Sequence, residues 1–255
     1  MQSTLRSLFN FLKDNREYNH NLQVNYHLSS VLPYSTKEDK VLSLLYDIVN
    51  TQSQPKINYI SEFFKNISEN KKSLQSFQNF VQYINPTASE VNFNVLFQGL
   101  KNQPGWGNKT SALFVKNIFQ FHNGNYSEKL FIWDDVPENI EENDTFYLPV
   151  DAVIIAIFNK IDSSKNWNFK NINFEIKKNY NGNEIEIWDD LWFWGFITQN
   201  GSGNNRIFEW NENKYWTLKE ASKEKSEIHT IKEKSADFLN ILKTHNKNVE
   251  RNNLP

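Results

Sequence analysis

Apolar residues recur every three or four positions along most of the chain, which is the spacing of one face of an α-helix. Leu5, Leu8 and Leu12 form such a stripe near the start, so we predict an amphipathic helix there rather than a signal peptide. Further stripes predict helices at 38–50, 55–67, 74–84, 89–102, 108–121, 148–161 and 185–198, and a last one after residue 219.

Two segments are instead typical of β-structure. KLFIW at 129–133 has the composition of a short strand, and RIFEWNENKYWTL at 206–218 predicts a hairpin with aromatic strands. We therefore predict a mainly α protein with a small β excursion, in which 1–255 form one unit of two helical subdomains. Its parts are a helical region at 39–121, an insertion at 122–148, and the remaining helices with the aromatic hairpin at 149–255.

Composition and charge narrow the classes of function. Lys plus Arg number 28 against 30 Asp plus Glu, so a nucleic-acid partner would need a local basic face. The absence of cysteine excludes disulfides, thiol catalysis and iron–sulfur clusters. The five histidines lack the spacing of metal ligands, and we predict neither a metal nor a cofactor. No window approaches the ~20 apolar residues that span a bilayer. We therefore expect no membrane partner and a cytoplasmic location, with the nucleoid if the source is prokaryotic.

The stretch QPGWGNKTSALFVKNIF at 103–119 places two glycines and a lysine at a bend before an apolar run. It is not a phosphate-binding P-loop, because Asn108 and Gln103 occupy the two positions that require glycine. A helix-hairpin-helix fits better, since glycines allow close approach and the bare amides of a helix start bind a DNA phosphate. The predicted DNA contacts are Gly105, Trp106, Gly107 and Asn108.

This stretch resembles the LPGVGxKTA hairpin of the helix-hairpin-helix DNA glycosylase superfamily. Lys109 falls on the lysine that attacks the sugar in bifunctional members, while Trp106 replaces a small aliphatic residue. The family commonly places an essential aspartate downstream in a PVD sequence, and Asp151 matches it here. The separation of the two residues is similar to that in archaeal 8-oxoguanine glycosylases. Ala152 and Val153 depart from the polar or basic residues that many members carry after the aspartate.

The resemblance implies a two-lobed helical glycosylase that acts as a monomer on double-stranded DNA with a damaged base. Lys109 would form a Schiff base with the sugar and could add AP lyase activity, and Asp151 would stabilise positive charge on the sugar. Taken alone, Asp151 is also a helix N-cap. We expect an oxidised purine such as 8-oxoguanine as the substrate. The alternatives are a glycosylase for alkylated, deaminated or otherwise modified bases, and a catalytically silent DNA-binding or structural protein.

Three further side chains are candidates for contact with the base. Gln52 and Gln54 lie in a polar corner between two predicted helices, and an amide can read a base edge. The competing interpretation is a polar turn that caps helices. Trp192 could stack on a base, with core packing as its alternative role.

Overall fold

The computed structural model describes residues 1–20, 22, 30–124, 130–218 and 221–251, and within them all side chains except those of 204 and 244–251. The described chain is mainly helical, as the apolar spacing predicts, with a small sheet of two strands. It divides into two compact units. The hairpin unit comprises residues 26–149 and 180–186, and the terminal unit comprises residues 1–25, 150–179 and 187–255.

Most of the described helices are short, and only the last one is long. In chain order the helices are α1 Gln2–Asp14, α2 Lys37–Val49, α3 Ile57–Glu69, α4 Phe77–Ile84, α5 Phe93–Lys101, α6 Asn108–Asn123, α7 Ala152–Ile161, α8 Phe169–Lys177, α9 Gly182–Ile187, α10 Asp190–Ile197, α11 Glu212–Trp216 and α12 Lys225–Arg251. Short 3₁₀ turns lie at Lys71–Leu74 and Gly203–Asn205, and the strands β1 Gln199–Asn200 and β2 Ile207–Phe208 pair antiparallel.

Polar side chains cap the starts of α2, α4 and α5 in the hairpin unit. An N-cap side chain accepts a hydrogen bond from an amide in the first turn, which replaces a partner that the helix itself cannot supply. Ser76 breaks the single helix that the pattern predicts over 74–84 into a 3₁₀ turn followed by α4. The capping pairs are Thr36 with the amide of Asp39, Ser76 with that of Asn79, and Asn92 with that of Val95.

The predicted insertion supplies two carboxylates to these helix starts. Asp135 accepts hydrogen bonds from the first two amides of α4, at 2.8 and 3.0 Å. Asp144 accepts hydrogen bonds from the first two amides of α5, at 2.9 and 2.8 Å. A negative charge is favourable there because the helix dipole is positive at its N-terminus. Side chains therefore satisfy the first three amides of both helices, and the acidic insertion is attached to the helices beside it.

The strand predicted at KLFIW is wrong for its described residues, 130–133. The amide of Ile132 donates to Nε2 of His122 at 3.2 Å, and the indole of Trp133 donates to the carbonyl of Leu74 at 2.7 Å. The ring of Trp133 also packs 5.6 Å from that of Phe80, within the core of the unit. Side-chain contacts with helices replace the strand pairing that the composition suggested. Residues 125–129 lie outside the described part of the chain.

Close approach of two helices organises the terminal unit. Gly195 of α10 faces α7, where a Cβ would lie 2.6 Å from Cδ1 of Ile157 and 2.7 Å from Cγ1 of Val153. The absence of a side chain therefore lets α10 lie directly on α7. Phe11 of α1 packs edge-on against Trp194 of α10, with ring centroids 5.0 Å apart. The single helix predicted at 185–198 is two helices, α9 and α10.

The aromatic hairpin predicted over 206–218 is also wrong. Its first residues form β2, which pairs with β1 across the sequence GSGNN, but its second half is helix α11. Asn211 accounts for this difference, because its side chain accepts a hydrogen bond from the amide of Lys214 at 3.0 Å and caps α11. Tyr215 is then fully buried on one side of that helix.

Candidate nucleic-acid interface and carboxylate site

The turn predicted between two helices at 103–107 is present between α5 and α6. Gly105 has a φ of +81°, a conformation that residues with a side chain rarely adopt. A Cβ at this position would also lie 2.7 Å from Cγ1 of Ile60 in α3. Gly105 is thus required twice, by the backbone angle and by the close contact with α3.

Gly107 is the N-cap of α6, and it has no side chain that could accept a hydrogen bond. The hydroxyl of Thr110 accepts from the amide of Gly107 at 3.0 Å, which fixes the entry into the helix. In the described part of the chain, nothing accepts a hydrogen bond from the amides of Asn108 and Lys109. The space where a Cβ of Gly107 would stand is open to 4 Å. The start of α6 therefore presents two open N–H groups where α4 and α5 hold carboxylates.

Lys109 is the second residue of α6 and is half-buried. Lys116 and Gln120 follow two and three turns later, so they point in nearly the same direction from the helix axis. Both are buried, and the amide of Gln120 donates to Glu186 at 2.8 Å. The side of α6 that carries Lys109 is thus lined with polar groups, although the run of residues that follows the bend looks apolar in the sequence.

The two glutamines of the predicted base-binding set have different environments. Nε2 of Gln52 donates to the carbonyls of Val49 and Gly105, each at 3.1 Å. Gln52 therefore ties the end of α2 to the hairpin, and its amide nitrogen is occupied by this role. Gln54 is exposed in the corner between α2 and α3.

Trp106 does not have the position expected of a DNA contact. Its side chain is only 8% exposed and packs edge-on against Phe63 and Phe114, with ring centroids 5.3 and 6.2 Å away. The turn therefore directs this large ring into the core of the hairpin unit. Trp106 anchors the hairpin to its own unit, and its contact with DNA stays a prediction.

Asp151 is the N-cap of α7 and uses both of its carboxylate oxygens. Oδ1 accepts from the amides of Val153 and Ile154 at 2.8 and 3.1 Å. Oδ2 accepts from the indole Nε1 of Trp192 at 2.9 Å. Three donors from two helices thus fix the orientation of this half-buried carboxylate.

Trp192, which the sequence predicts as a base contact, is a hydrogen-bond partner of Asp151. Its half-buried ring stacks on Phe196, with centroids 4.9 Å apart and planes inclined by 11°. Nζ of Lys214 lies over the ring of Phe196, 5.0 Å from its centroid. Nothing in the sequence pairs Trp192 with Asp151, because the contact depends on how α10 packs against α7.

Lys109 belongs to the hairpin unit and Asp151 to the terminal unit. Each unit therefore carries one of the two catalytic residues that the resemblance to the DNA glycosylases predicts. The groups that surround each residue were not predicted, since they come from segments far apart in the sequence. Trp192 is an exception: the sequence predicts it as a base contact, and its indole donates to Asp151.

No protein-family model matches the chain, and neither the curated proteins nor the solved structures contain a match to it. The likeness to the glycosylase hairpin therefore rests on the residues quoted above. Among the described residues, histidines and carboxylates form no cluster of three that could hold a metal ion. None of the helices described is both long and apolar enough to cross a membrane.

Proposed function

We propose that the protein is a DNA glycosylase that binds a strand phosphate at the start of α6 and uses Lys109 as an amine nucleophile. The observation that carries the proposal is the open helix start at Gly107, with Lys109 as its second residue. An anion that approaches the open amides meets no side chain at Gly107. It also meets the positive end of a helix dipole, which favours negative charge.

The chemistry assigned to Lys109 follows from its position beside a bound strand. Its neutral amine attacks C1′ of the nucleotide, the glycosidic bond breaks with its electron pair leaving on the base, and the base takes up a proton. The C1′–O4′ bond of the sugar ring then breaks, its electron pair goes to O4′, which takes up a proton, and the nitrogen lone pair forms an iminium between Nζ and C1′. Loss of a proton from the neighbouring carbon can expel the 3′ phosphate, which is the lyase step.

The role proposed for Asp151 is electrostatic. Its carboxylate is held by three N–H donors, so it does not need to reorient as positive charge develops on the sugar. The base has to leave the duplex for this chemistry, and unstacking costs least for a damaged or mismatched base. An oxidised purine such as 8-oxoguanine is the proposed substrate.

Borohydride trapping tests the nucleophile directly, because borohydride reduces the iminium to a stable covalent adduct. Duplexes would contain 8-oxoguanine, uracil, an alkylated base or an abasic site. We expect an adduct with the wild-type protein, none with Lys109→Gln, and an unchanged yield with Lys65→Gln. Lys65 is an exposed lysine on α3 and serves as the matched control.

Two outcomes would contradict the proposal in different ways. An adduct that persists in Lys109→Gln would assign the chemistry to another amine. Binding of every duplex without release of any base would favour a catalytically silent DNA-binding protein. Release of uracil or an alkylated base, with none of 8-oxoguanine, would keep the nucleophile and change the substrate.

A further inference from the structure

A second charged site lies in the terminal unit. A cavity of about 320 Å³ is lined by side chains of α7, of β2 and the residue before it, and of α12. Three of its lining residues are cations, Lys160, Arg206 and Lys243. The remaining walls are apolar and consist of Ile207, Phe208, Leu239 and Leu242. We call these seven residues the basic cleft.

Among the described residues, the cations of the basic cleft form no ion pair with a carboxylate. In the part of the chain that the structure describes, no carboxylate lies within 4.0 Å of the charged nitrogens of Lys160, Arg206 or Lys243. Nζ of Lys160 lies 5.8 Å from the centre of the Phe208 ring, so an aromatic face is its near neighbour. The three cations are thus available to an external anion.

Arg206 is held in place by a buried hydrogen-bond chain. Its Nη1 donates to Oε1 of Gln199 at 2.7 Å, and Nε2 of Gln199 donates to the carbonyl of Val153 at 3.1 Å. Gln199 is fully buried, so the amide is a rigid support. One N–H of the guanidinium is used in this way, and the others can form a fork with an oxyanion.

The positive charge of Arg206 also affects Lys214, which lies outside the basic cleft. Burial lowers the pKa of Lys214, and the positive charge of Arg206 lowers it further. An anion that binds Arg206 would relieve this repulsion as well as pair with the guanidinium.

We propose that the basic cleft binds the phosphate monoester of a nucleotide. Three cations that line one cleft match a group with two negative charges better than a singly charged carboxylate. The apolar walls leave a surface against which the sugar and base can lie, and the volume is at the small end of the range for ligand sites. The same chemistry is present in a free nucleoside monophosphate and at the phosphorylated end of a DNA strand.

Isothermal titration tests the proposal with the full chain and is independent of any glycosylase activity. The probes are deoxyadenosine monophosphate, deoxyadenosine, inorganic phosphate and octanoate. We expect the monophosphate to bind most tightly, inorganic phosphate to bind more weakly, and the nucleoside not to bind. A short single strand with a 5′ phosphate, compared with the same strand without it, distinguishes the strand end from the free nucleotide.

Variants locate the site. Arg206→Gln and Lys243→Gln should each weaken binding of the monophosphate by about tenfold, as expected for loss of one charge-assisted contact. Lys170→Gln changes an exposed lysine of α8 and should leave binding unchanged. Circular dichroism verifies the fold of each variant, and Lys243 is exposed, so its replacement tests the cleft even if Arg206→Gln is unstable.

The proposal is overturned if the nucleoside or octanoate binds as tightly as the monophosphate. It is also overturned if no phosphate-bearing probe binds, or if Lys170→Gln weakens binding as much as the two cleft variants do. None of these results bears on Lys109, because binding in the basic cleft is measured without an abasic site or a damaged base.

Discussion

Replacement of Asp151 by asparagine is the obvious test of its carboxylate, but the structure predicts that this change also disturbs the fold. An asparagine can direct its carbonyl oxygen to the amides of Val153 and Ile154, as Oδ1 of Asp151 does. Its NH₂ group then faces the indole N–H of Trp192, and two donors oppose each other. With the amide flipped, the NH₂ group faces the backbone amides instead. Either orientation leaves a donor without an acceptor.

The size of this effect follows from the hydrogen bonds involved. A hydrogen bond to a charged group contributes about 1.5–3 kcal/mol, and a half-buried indole recovers part of that from water. We therefore expect Asp151→Asn to lower the free energy of unfolding by about 1–2 kcal/mol in the wild-type background. Asparagine and aspartate are about equally good N-caps. In Trp192→Phe, which has no indole donor, the same substitution should cost less than about 0.5 kcal/mol.

Urea unfolding of the wild type, the two single variants and the double variant gives the coupling energy between the residues. We expect the double variant to be about 0.5–2 kcal/mol more stable than the sum of the single effects predicts. Effects that add within about 0.5 kcal/mol would refute the idea that Trp192 fixes the carboxylate. The double variant is then the appropriate background for kinetics, because it removes the charge without opposed donors. We expect it to lose turnover while it retains DNA binding.

The remaining predictions concern the hairpin glycines and His122. Gly105→Ala should lower the free energy of unfolding by about 1–3 kcal/mol because of the positive φ and the contact with Ile60, whereas Gly107→Ala should cost less than about 1 kcal/mol. Gly107→Ala should instead weaken DNA binding in fluorescence anisotropy, and equal DNA affinity would contradict phosphate binding at this turn. Burial lowers the pKa of His122 from 6.5 to about 4, so the unfolded chain takes up a proton in this range and the folded chain does not. The free energy of unfolding should therefore be unaffected by His122 above pH 6.5 and should fall by up to about 3 kcal/mol as the pH drops towards 4. Urea unfolding at several pH values should show that His122→Gln removes this fall.

The sequence predicts the helices well where one apolar stripe faces one core. It fails where a single polar side chain decides the outcome, as with Ser76 before α4 and Asn211 before α11. Aromatic residues are common in strands, yet Tyr215 lies on the short helix α11. Its side chain is fully buried there, so packing outweighs the preference for a strand. Local propensity is weak compared with a cap or a packing contact, and neither is visible before distant segments are placed.

In the candidate site, too, local features can be predicted from the sequence and contacts between remote residues cannot. The turn with Gly105 and the cap at Asp151 are local features, and the sequence is sufficient to predict them. The orientation of Trp106, the contact of Gln52 with the hairpin and the bond from Trp192 to Asp151 join residues that are remote along the chain. Their roles could not be read from residue type, because an indole or an amide serves a base and a protein partner equally well.

The acidic insertion has a consequence for where a polyanion can bind. Asp135 and Asp144 occupy the starts of α4 and α5, two places that would otherwise attract a phosphodiester backbone for the same reason as the start of α6. The protein therefore carries its own competing anions at these two positions and leaves the third one free. If DNA is the partner, the insertion acts as a mask that keeps the strand away from the starts of α4 and α5, so its negative charge would increase selectivity rather than oppose binding.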